Sequence, residues 1–173
     1  MGESIIVHTI RSVKKAGITD IILVTGPGNI FRELLGDGKK FGVKIEHIIQ
    51  KDPKGMGDAV LAASHLIKSD FFLLHAHRVE FHELKKDVDL KRGTNKYVVL
   101  LTKKEDLLAS YGVLKVKGDR VVGIIEKPKK GEEPSKLKII GLYFLNNEFI
   151  KTLKSIKPHE YSFETALNKH AGL

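Results

Sequence analysis

The sequence predicts an α/β protein built on a Rossmann-like, mixed but mostly parallel sheet with flanking helices. Short runs of β-branched and aromatic residues alternate with segments of helical periodicity in the first part of the chain, which is typical of right-handed βαβ units. Further along, two strand-like runs flank Gly118-Asp119, a hairpin signal that adds antiparallel strands. The 173 residues show no internal repeat and no linker, so we expect a single domain over 1–173.

Helices and strands alternate in the first half of the chain. Apolar residues at helical spacing predict a helix over 4–16, with Ser4 as its candidate N-cap. The continuous apolar run over 20–25 is typical of a buried parallel strand. The same patterns predict a short helix over 29–35 closed by Gly36, a strand over 43–49, a helix over 58–67 and a strand over 71–74.

The second half contains more strands and ends in helices. A helical pattern over 81–91 precedes a strand over 97–102. The hairpin strands are predicted over 113–116 and 120–126. The remaining elements are a strand over 139–145 and two terminal helices over 148–156 and 162–170.

The composition excludes several classes of protein. Hydrophobic residues make up 42% and charged residues 29%, as in globular proteins. No apolar run approaches the length of a membrane span, and the N-terminal residues do not form a secretory signal. The absence of cysteine excludes disulfides, thiolate metal sites and a cysteine nucleophile. We therefore expect a cytoplasmic protein.

The formal net charge of +9 favours anionic partners, which include nucleotides, sugar phosphates and nucleic acid. The lysines are spread from Lys14 to Lys169, however, and such charges also arise from solvated faces. A nucleic-acid-binding domain is one alternative, and its binding would depend steeply on salt. The absence of a clustered basic stripe with aromatic residues argues against it.

The segment 50–57 has the chemistry of a ligand-binding loop. It follows a predicted strand and precedes a predicted helix, so it lies at the carboxyl end of the sheet, where open α/β folds bind ligands. Gln50 offers an amide donor and an acceptor, which suit the imide edge of a pyrimidine base. Gly55 and Gly57 let the backbone approach a planar ring. A glycine-rich connection without a ligand is the alternative reading of this loop alone.

The loop belongs to a longer series of motifs in a fixed order. The stretch 31–60 contains a short helix, Gly36-Asp37-Gly38, a strand and the loop itself. The motifs that follow it are Tyr111-Gly112-Val113, Glu126-Lys127-Pro128, Gly141-Leu142-Tyr143-Phe144 and Glu160-Tyr161. In this order and spacing the chain resembles, over 2–170, the sugar-phosphate nucleotidyltransferases, including those of the glucose-1-phosphate thymidylyltransferase type. These enzymes join a nucleoside triphosphate to a hexose 1-phosphate and release pyrophosphate.

The resemblance implies a role for each matching residue. Gln50 would recognise the base, with the backbone of Gly55 beside it. The sugar phosphate would be bound by Gly112 through its backbone, by Glu126 and Glu160 through sugar hydroxyls, and by Lys127 through the phosphate. These residue types suit their roles, because carboxylates accept hydroxyl hydrogen bonds and an ammonium meets a phosphate as a point charge.

The resemblance also implies what this chain lacks. In the family the catalytic loop is Gly-rich, bears an arginine and a following lysine, and lies upstream of the matching region. We therefore expect the domain to be truncated at both ends relative to the family and to lack the first strand. A partner chain, from a homo-oligomer or a homologue, or a rearranged strand would then have to cover the exposed sheet, because open apolar edges aggregate.

The metal site is expected to depart from the family. The resemblance implies Mg²⁺ held by an Asp after a buried strand, but here His77 takes that catalytic position, and Mg²⁺ prefers oxygen ligands. His75 and His77 share one face of an extended segment, with Glu80 and His82 nearby in the sequence. These side chains could instead bind Zn²⁺ or a similar ion. Histidines solvated at a strand end are the alternative.

These observations lead to three hypotheses about function. The first is a nucleotidyltransferase-family domain that binds a nucleoside triphosphate and a sugar 1-phosphate, with impaired or no activity as this chain. The second is a non-catalytic nucleotide-binding or sugar-binding module that pairs with an active homologue. The third is the basic nucleic-acid-binding domain.

Overall fold

The computed structural model describes residues 2–92, 98–118 and 120–172. Its first half contains α1 (Ile5–Lys15), β1 (Asp20–Thr25), α2 (Ile30–Leu35), a 3₁₀ turn (Lys39–Phe41), β2 (Lys44–Ile49), α3 (Met56–Ala63) and β3 (Phe71–Leu74). Its second half contains α4 (Phe81–Arg92), β4 (Val98–Lys104), β5 (Gly112–Lys117), β6 (Arg120–Glu126), β7 (Leu137–Leu145), α5 (Glu148–Lys154) and α6 (Ser162–His170).

Local sequence explains several boundaries of these elements. Ser4 occupies the N-cap position of α1, where its carbonyl accepts the N–H of Val7, although its side chain makes no capping hydrogen bond. Gly55 has a φ of 97° and ends the extended loop before α3, so this helix begins at Met56 rather than at residue 58. The predicted hairpin forms between β5 and β6, while Asp119 of its turn and Tyr97 lie outside the described residues.

The mixed α/β class is confirmed, but the described strands fall into two groups. One group is the parallel pair β1–β2. The other has the order β3-β7-β5-β6, with β4 also pairing with β7, and all of its pairings are antiparallel. Antiparallel pairing is more extensive than the helix–strand alternation suggests, because β7 returns after the hairpin and pairs with strands that precede it by many residues.

Helices join the two groups of strands. Ile6 and Ile10 of α1 are buried in a cluster with residues of β2, and Ile21 and Leu23 of β1 pack against it. Val13 of the same helix belongs to a second cluster, which Phe72 and Leu74 of β3 pack against. The largest cluster lies between the antiparallel group and helices α3, α5 and α6, and it includes Val60, Leu114, Tyr143, Leu145, Phe149, Leu153, Phe163 and Leu167. Among the described residues, no helix is both long and apolar enough to cross a membrane.

Candidate functional site

The loop 50–57 connects β2 to α3, as the sequence predicts. Gln50 donates its main-chain N–H to the carbonyl of Thr25 on β1, at 2.8 Å. Its side-chain Nε2 donates to Oδ2 of Asp58, in the first turn of α3, at 2.6 Å. Gln50 is therefore anchored at both its backbone and its side chain, at the edge of a large cavity.

Gly55 brings this loop against the beginning of α6. A Cβ at position 55 would lie 2.7 Å from the main-chain oxygen of Glu160, so only glycine fits this approach without displacement. Gly57 makes a similar approach, and its Cβ would lie 3.1 Å from the main-chain nitrogen of Phe163. The predicted nucleotide side and the predicted sugar side of the site are thus in direct contact.

The residues predicted to bind the sugar phosphate lie together around the ends of β5 and β6. Gly112 is paired with Glu126 across these strands, and a Cβ at position 112 would lie 2.7 Å from Oε2 of Glu126. Lys127 follows β6 with a φ of 47°, and its N–H donates to the carbonyl of Tyr111 at 3.1 Å. Its Nζ lies 3.5 Å from Oε1 of Glu160. The fold therefore gathers all four residues named for this role.

The carboxylates of this site interact with one another. Partial burial, together with the charge of Glu164, raises the pKa of Glu126 to about 6, although Lys127 acts in the opposite direction. Burial also raises the pKa of Glu164. Glu126 is therefore about half protonated near pH 6, and a protonated carboxyl can donate a hydrogen bond as well as accept one.

Lys127 is the cation of this cluster. The nearby Tyr161 and Glu160 raise the pKa of Lys127 above its usual value. Its Nζ also lies 5.4 Å from the centre of the Tyr161 ring. Because the side chains of Lys127 and Glu160 are both substantially exposed, their ion pair is weak and can exchange for an anionic ligand.

Three residues of the site are missed by reasoning from the sequence: Asp58, Tyr161 as a partner of Lys127, and Glu164. Asp58 could have been found as an acidic residue in the first turn of the helix after the loop. Glu164 is an acidic residue in the first turn of α6, shortly after Glu160 in the sequence. The burial of Glu164 depends on the packing of α6, so the local sequence pattern does not predict it.

The histidines after β3 do not form the four-ligand metal cluster that the sequence suggests. The rings of His75 and His77 lie 5.4 Å apart, centre to centre. His82, however, is turned toward α1, where its ring nitrogens lie 2.9 Å from Ser12 Oγ and from Lys15 Nζ. Glu80 is paired with Arg78 at 2.9 Å. Within the described residues, no group of three potential ligands is close enough to hold a metal ion.

The same residues do not fit Mg²⁺. The segment after β3 presents imidazoles and a guanidinium, and His77 Nε2 lies 3.0 Å from a nitrogen of Arg78. Burial lowers the pKa of His75, with His77 and Arg78 acting in the same direction. Mg²⁺ requires oxygen ligands, whereas the carboxylate of Glu80, three residues after His77, is already held by Arg78. We therefore assign no Mg²⁺ ligand here.

Comparison with known proteins places this geometry in context. Over 163 residues the chain is 29% identical to a glucose-1-phosphate thymidylyltransferase of Mycolicibacterium smegmatis, a match that covers 90% of this chain and 54% of the relative. It is 31% identical over 164 residues to a bifunctional protein GlmU of Methanococcus maripaludis, with coverage of 92% and 36%. The chain thus spans about half the length of the first of these relatives and about a third of the second.

Solved structures support the fold. A UDP-glucose pyrophosphorylase complexed with UDP-glucose superposes with a TM-score of 0.80 at 19% identity, over 98% of this chain and 75% of that one. A putative glucose-1-phosphate thymidylyltransferase from Bacillus anthracis superposes with a TM-score of 0.82 at 20% identity, over 97% and 70%. The model of the nucleotidyl transferase family matches residues 1–171, and this chain therefore belongs to that family.

Proposed function

We propose that this chain is a nucleotide-sugar-synthesising domain that binds a nucleoside triphosphate at Gln50 and Gly55 and a sugar 1-phosphate at Gly112, Glu126, Lys127 and Glu160. The approach of Gly55 to the carbonyl of Glu160 supports this proposal most directly, since it joins the two halves of the site. The relatives named above include a glucose-1-phosphate thymidylyltransferase, and the solved structures that share the fold include a UDP-glucose pyrophosphorylase.

The base would be read by the Gln50 amide. Asp58 accepts one of its N–H groups, so the orientation of the amide is fixed before a ligand arrives. An amide of fixed orientation can pair with the imide edge of thymine or uracil, which carries both a donor and acceptors. A thymidine or uridine nucleotide is the substrate that this arrangement favours.

The sugar 1-phosphate would be held by charge and by paired hydroxyl contacts. Lys127 would leave its exposed ion pair with Glu160 and meet the phosphate, at little energetic cost. Glu160 and Glu126 would then accept hydrogen bonds from sugar hydroxyls. Near pH 6, where burial and the charge of Glu164 place the pKa of Glu126, the protonated form of this carboxyl could also donate one.

The proposed reaction is in-line attack by a phosphate oxygen of the sugar 1-phosphate on the α-phosphorus of the triphosphate, with pyrophosphate leaving. The residues named above bind and orient the two substrates, which is the part of catalysis that positioning provides. The reaction also requires stabilisation of the charge that develops on the transferred phosphate.

Calorimetric titrations with UTP, dTTP and glucose 1-phosphate test the binding proposal. Lys127→Met should weaken glucose 1-phosphate binding by about tenfold, because it removes one charge-assisted contact, while leaving nucleotide binding nearly unchanged. The matched control is Lys117→Met, at the exposed end of β5. Equal losses in both variants, or no binding of either substrate class by the unmodified chain, would contradict the proposal.

A second candidate is a non-catalytic binding module, and the residues after β3 favour it. This segment provides His75, His77 and Arg78 where the family resemblance implies a metal-binding carboxylate. Such a module would bind nucleotide but release no pyrophosphate. A coupled pyrophosphate assay on the unmodified chain and on His77→Asp distinguishes the candidates: release by the unmodified chain favours the enzyme, whereas binding without release favours the module.

A further inference from the structure

The segment after β3 is held in one conformation by hydrogen bonds to β7 and to α1. The N–H of His75 donates to the carbonyl of Gly141 on β7 at 3.1 Å, and the N–H of Arg78 donates to the carbonyl of His75 at 3.0 Å. From α1, Oγ1 of Thr9 donates to the carbonyl of Ala76 at 2.7 Å. The backbone is thus fixed on both sides, so a ligand bound by this segment would have little of it left to order.

Three side chains of this segment, His75, His77 and Arg78, form what we call the cationic cluster. The rings of His75 and His77 lie 5.4 Å apart, centre to centre, and both residues reach solvent. Nε2 of His77 lies 3.0 Å from Nη2 of Arg78, and a neutral His77 accepts there, because a guanidinium only donates. Burial lowers the pKa of His75, and His77 and Arg78 act in the same direction, so this ring lies in a cationic environment.

Arg78 has a donor that lacks an acceptor. Its Nη1 donates to Oε1 of Glu80 at 2.9 Å, and its side chain is 21% exposed. Its Nε is buried and has no hydrogen-bond partner within the described residues. Leaving a buried donor unpaired is costly, and an anion that draws the guanidinium toward solvent would give Nε an acceptor. A planar guanidinium is also well suited to phosphate, which it can contact through two nitrogens at once.

β7 brings the cationic cluster beside the residues proposed to bind the sugar phosphate. Both halves of β7 pair with β4 on one side, so β3 and β5 follow each other along the other side. There the backbone of His75 meets Gly141. A Cβ on Gly112, at the start of β5, would lie 3.3 Å from Cδ1 of Ile139. Gly141 and Ile139 are two residues apart, which is roughly 7 Å along a strand, so the cluster adjoins the sugar-phosphate residues.

We propose that the cationic cluster binds a phosphate group of a substrate directly, without a bridging metal ion. The inference rests on the proposed function for the source of that group, which is the nucleoside triphosphate or the sugar 1-phosphate. Imidazole and guanidinium N–H groups donate to phosphate oxygens in charge-assisted hydrogen bonds of about 2.8 Å. The same cluster does not suit Mg²⁺, which prefers oxygen ligands. In this chain the side chains themselves, instead of a metal ion, would neutralise the phosphate at this position.

A direct site responds to Mg²⁺ differently from a site bridged by a metal ion. At a bridged site, added Mg²⁺ strengthens the binding of phosphate compounds. At a direct site, Mg²⁺ complexes the phosphate in solution and cancels part of its charge, so the attraction to the cluster is unchanged or weaker. The comparison of affinities in EDTA and in Mg²⁺ therefore distinguishes the two kinds of site.

The probe is sodium pyrophosphate, which carries phosphate groups and neither a base nor a sugar. It is titrated into the whole chain in EDTA while the ring resonances of the histidines are followed by NMR. Those of His75 and His77 should shift until the site is saturated, and the affinity should not rise when Mg²⁺ replaces EDTA. The ring of His65, an exposed residue just after α3, is the internal control and should not shift.

Substitutions in the cationic cluster should weaken pyrophosphate binding. Arg78→Met removes the guanidinium and should weaken it by at least about tenfold, and His77→Asn should weaken it several-fold. Arg32→Met, at an exposed arginine of α2, is the matched control and should leave it unchanged. Arg78→Met/Glu80→Gln keeps the net charge of the chain, so a loss that persists in it reflects the contact and not the overall charge. If the Arg78 variants do not fold, His77→Asn and the titration of the unmodified chain decide the question.

Titrations of the same variants with UTP, dTTP and glucose 1-phosphate in EDTA identify the source of the phosphate group, since affinity falls for the substrate that supplies it. Unchanged affinity of the variants for every substrate and for pyrophosphate would overturn this inference and leave the proposed function standing. Binding of pyrophosphate by the cluster without binding of any substrate would support the anion site and overturn the proposed function. A requirement for Mg²⁺, an equal shift of His65, or full recovery in the double variant would also overturn the inference.

Discussion

Gly55 and Glu160 touch through their backbones: a Cβ at position 55 would lie 2.7 Å from the carbonyl oxygen of Glu160. The two residues lie more than a hundred positions apart in the chain, one before α3 and the other before α6. Because no side chain intervenes, the loop 50–57 cannot move toward α6 or away from it without changing this contact. It couples the shape of the predicted nucleotide side to that of the predicted sugar side.

Gly55→Ala should therefore destabilise the fold and weaken binding of both substrate classes. The substitution combines a φ of 97° with a backbone overlap, and we expect a loss of about 2–4 kcal/mol in the free energy of unfolding. Gly131→Ala is the matched control, since Gly131 has a φ of 90° and open space around it, and it should lose only about 1 kcal/mol. Urea unfolding measures both values. Equal losses of unfolding free energy in the two variants would show that the contact with Glu160 does not contribute to stability.

The raised pKa of Glu126 predicts a pH dependence of stability. A carboxyl whose pKa rises from 4.5 unfolded to about 6 folded binds more protons in the native state between these values. Stability from this group is therefore present below pH 4.5 and is lost as the pH rises to about 6. Glu126→Gln should remove this loss, so that the variant gains stability relative to the unmodified chain above pH 6.

The charged neighbours of Glu126 should also affect this pH dependence of stability. Glu164 and Glu160 raise the pKa of Glu126 and Lys127 lowers it, so Glu164→Gln should shift the midpoint for Glu126 toward lower pH. The exposed Glu132, in the loop before β7, provides the control Glu132→Gln. Thermal unfolding between pH 4 and pH 8 measures the profiles. Parallel curves for Glu126→Gln and the unmodified chain would contradict this prediction.

Asp58 is predicted to orient Gln50 for the base. Asp58→Ala removes the acceptor for Gln50 Nε2, which should cost about 1 kcal/mol of stability and weaken UTP or dTTP binding several-fold. Asp58→Asn keeps a side-chain carbonyl acceptor while removing the charge near the start of α3. It should therefore restore most nucleotide binding if orientation is what matters.

The control for this prediction is Asp52→Ala in the same loop, because Asp52 forms an exposed ion pair with Lys54. Nucleotide affinity measured by calorimetry should be nearly unchanged in this variant. If Asp58→Asn binds as weakly as Asp58→Ala, the charge at the helix start, and not the hydrogen bond, carries the effect.

Local patterns were sufficient to predict most of the elements. The bounds of β1, β3, β6 and α6 agree with the periodicity of the sequence, because short apolar runs and helical spacing are properties of neighbouring residues. Strand partners are not local. The pairing of β7 with both β3 and β4 joins residues far apart in the chain, and no pattern within β7 specifies it.

In the candidate site, too, some features follow from local sequence and others from long-range packing. The resemblance implies a shared sugar-phosphate role for Gly112, Glu126, Lys127 and Glu160, and the fold places these four residues close together. The hydrogen bond from Gln50 to Asp58 and the burial of Glu164 arise from packing between helices and loops. The zinc hypothesis for four residues is wrong for a related reason. Nearness in sequence does not set the direction of a side chain, and the His82 ring contacts Ser12 and Lys15 of α1.

Gly141 and His75 provide a final prediction about the segment after β3. A Cβ at position 141 would lie 2.5 Å from Nδ1 of the His75 ring, and Gly141 has a φ of 71°. Gly141→Ala should displace this ring and destabilise the chain by about 2–4 kcal/mol, whereas Gly118→Ala, with a φ of 58° and open space, should cost only about 1 kcal/mol.

The double variant Gly141→Ala/His75→Ala removes the overlap but keeps the backbone strain. It should be more stable than the sum of the two single losses predicts, by about 1–2 kcal/mol in a double-mutant cycle. Strict additivity of the two losses would mean that the ring moves aside freely, and that His75 is not held in place against β7.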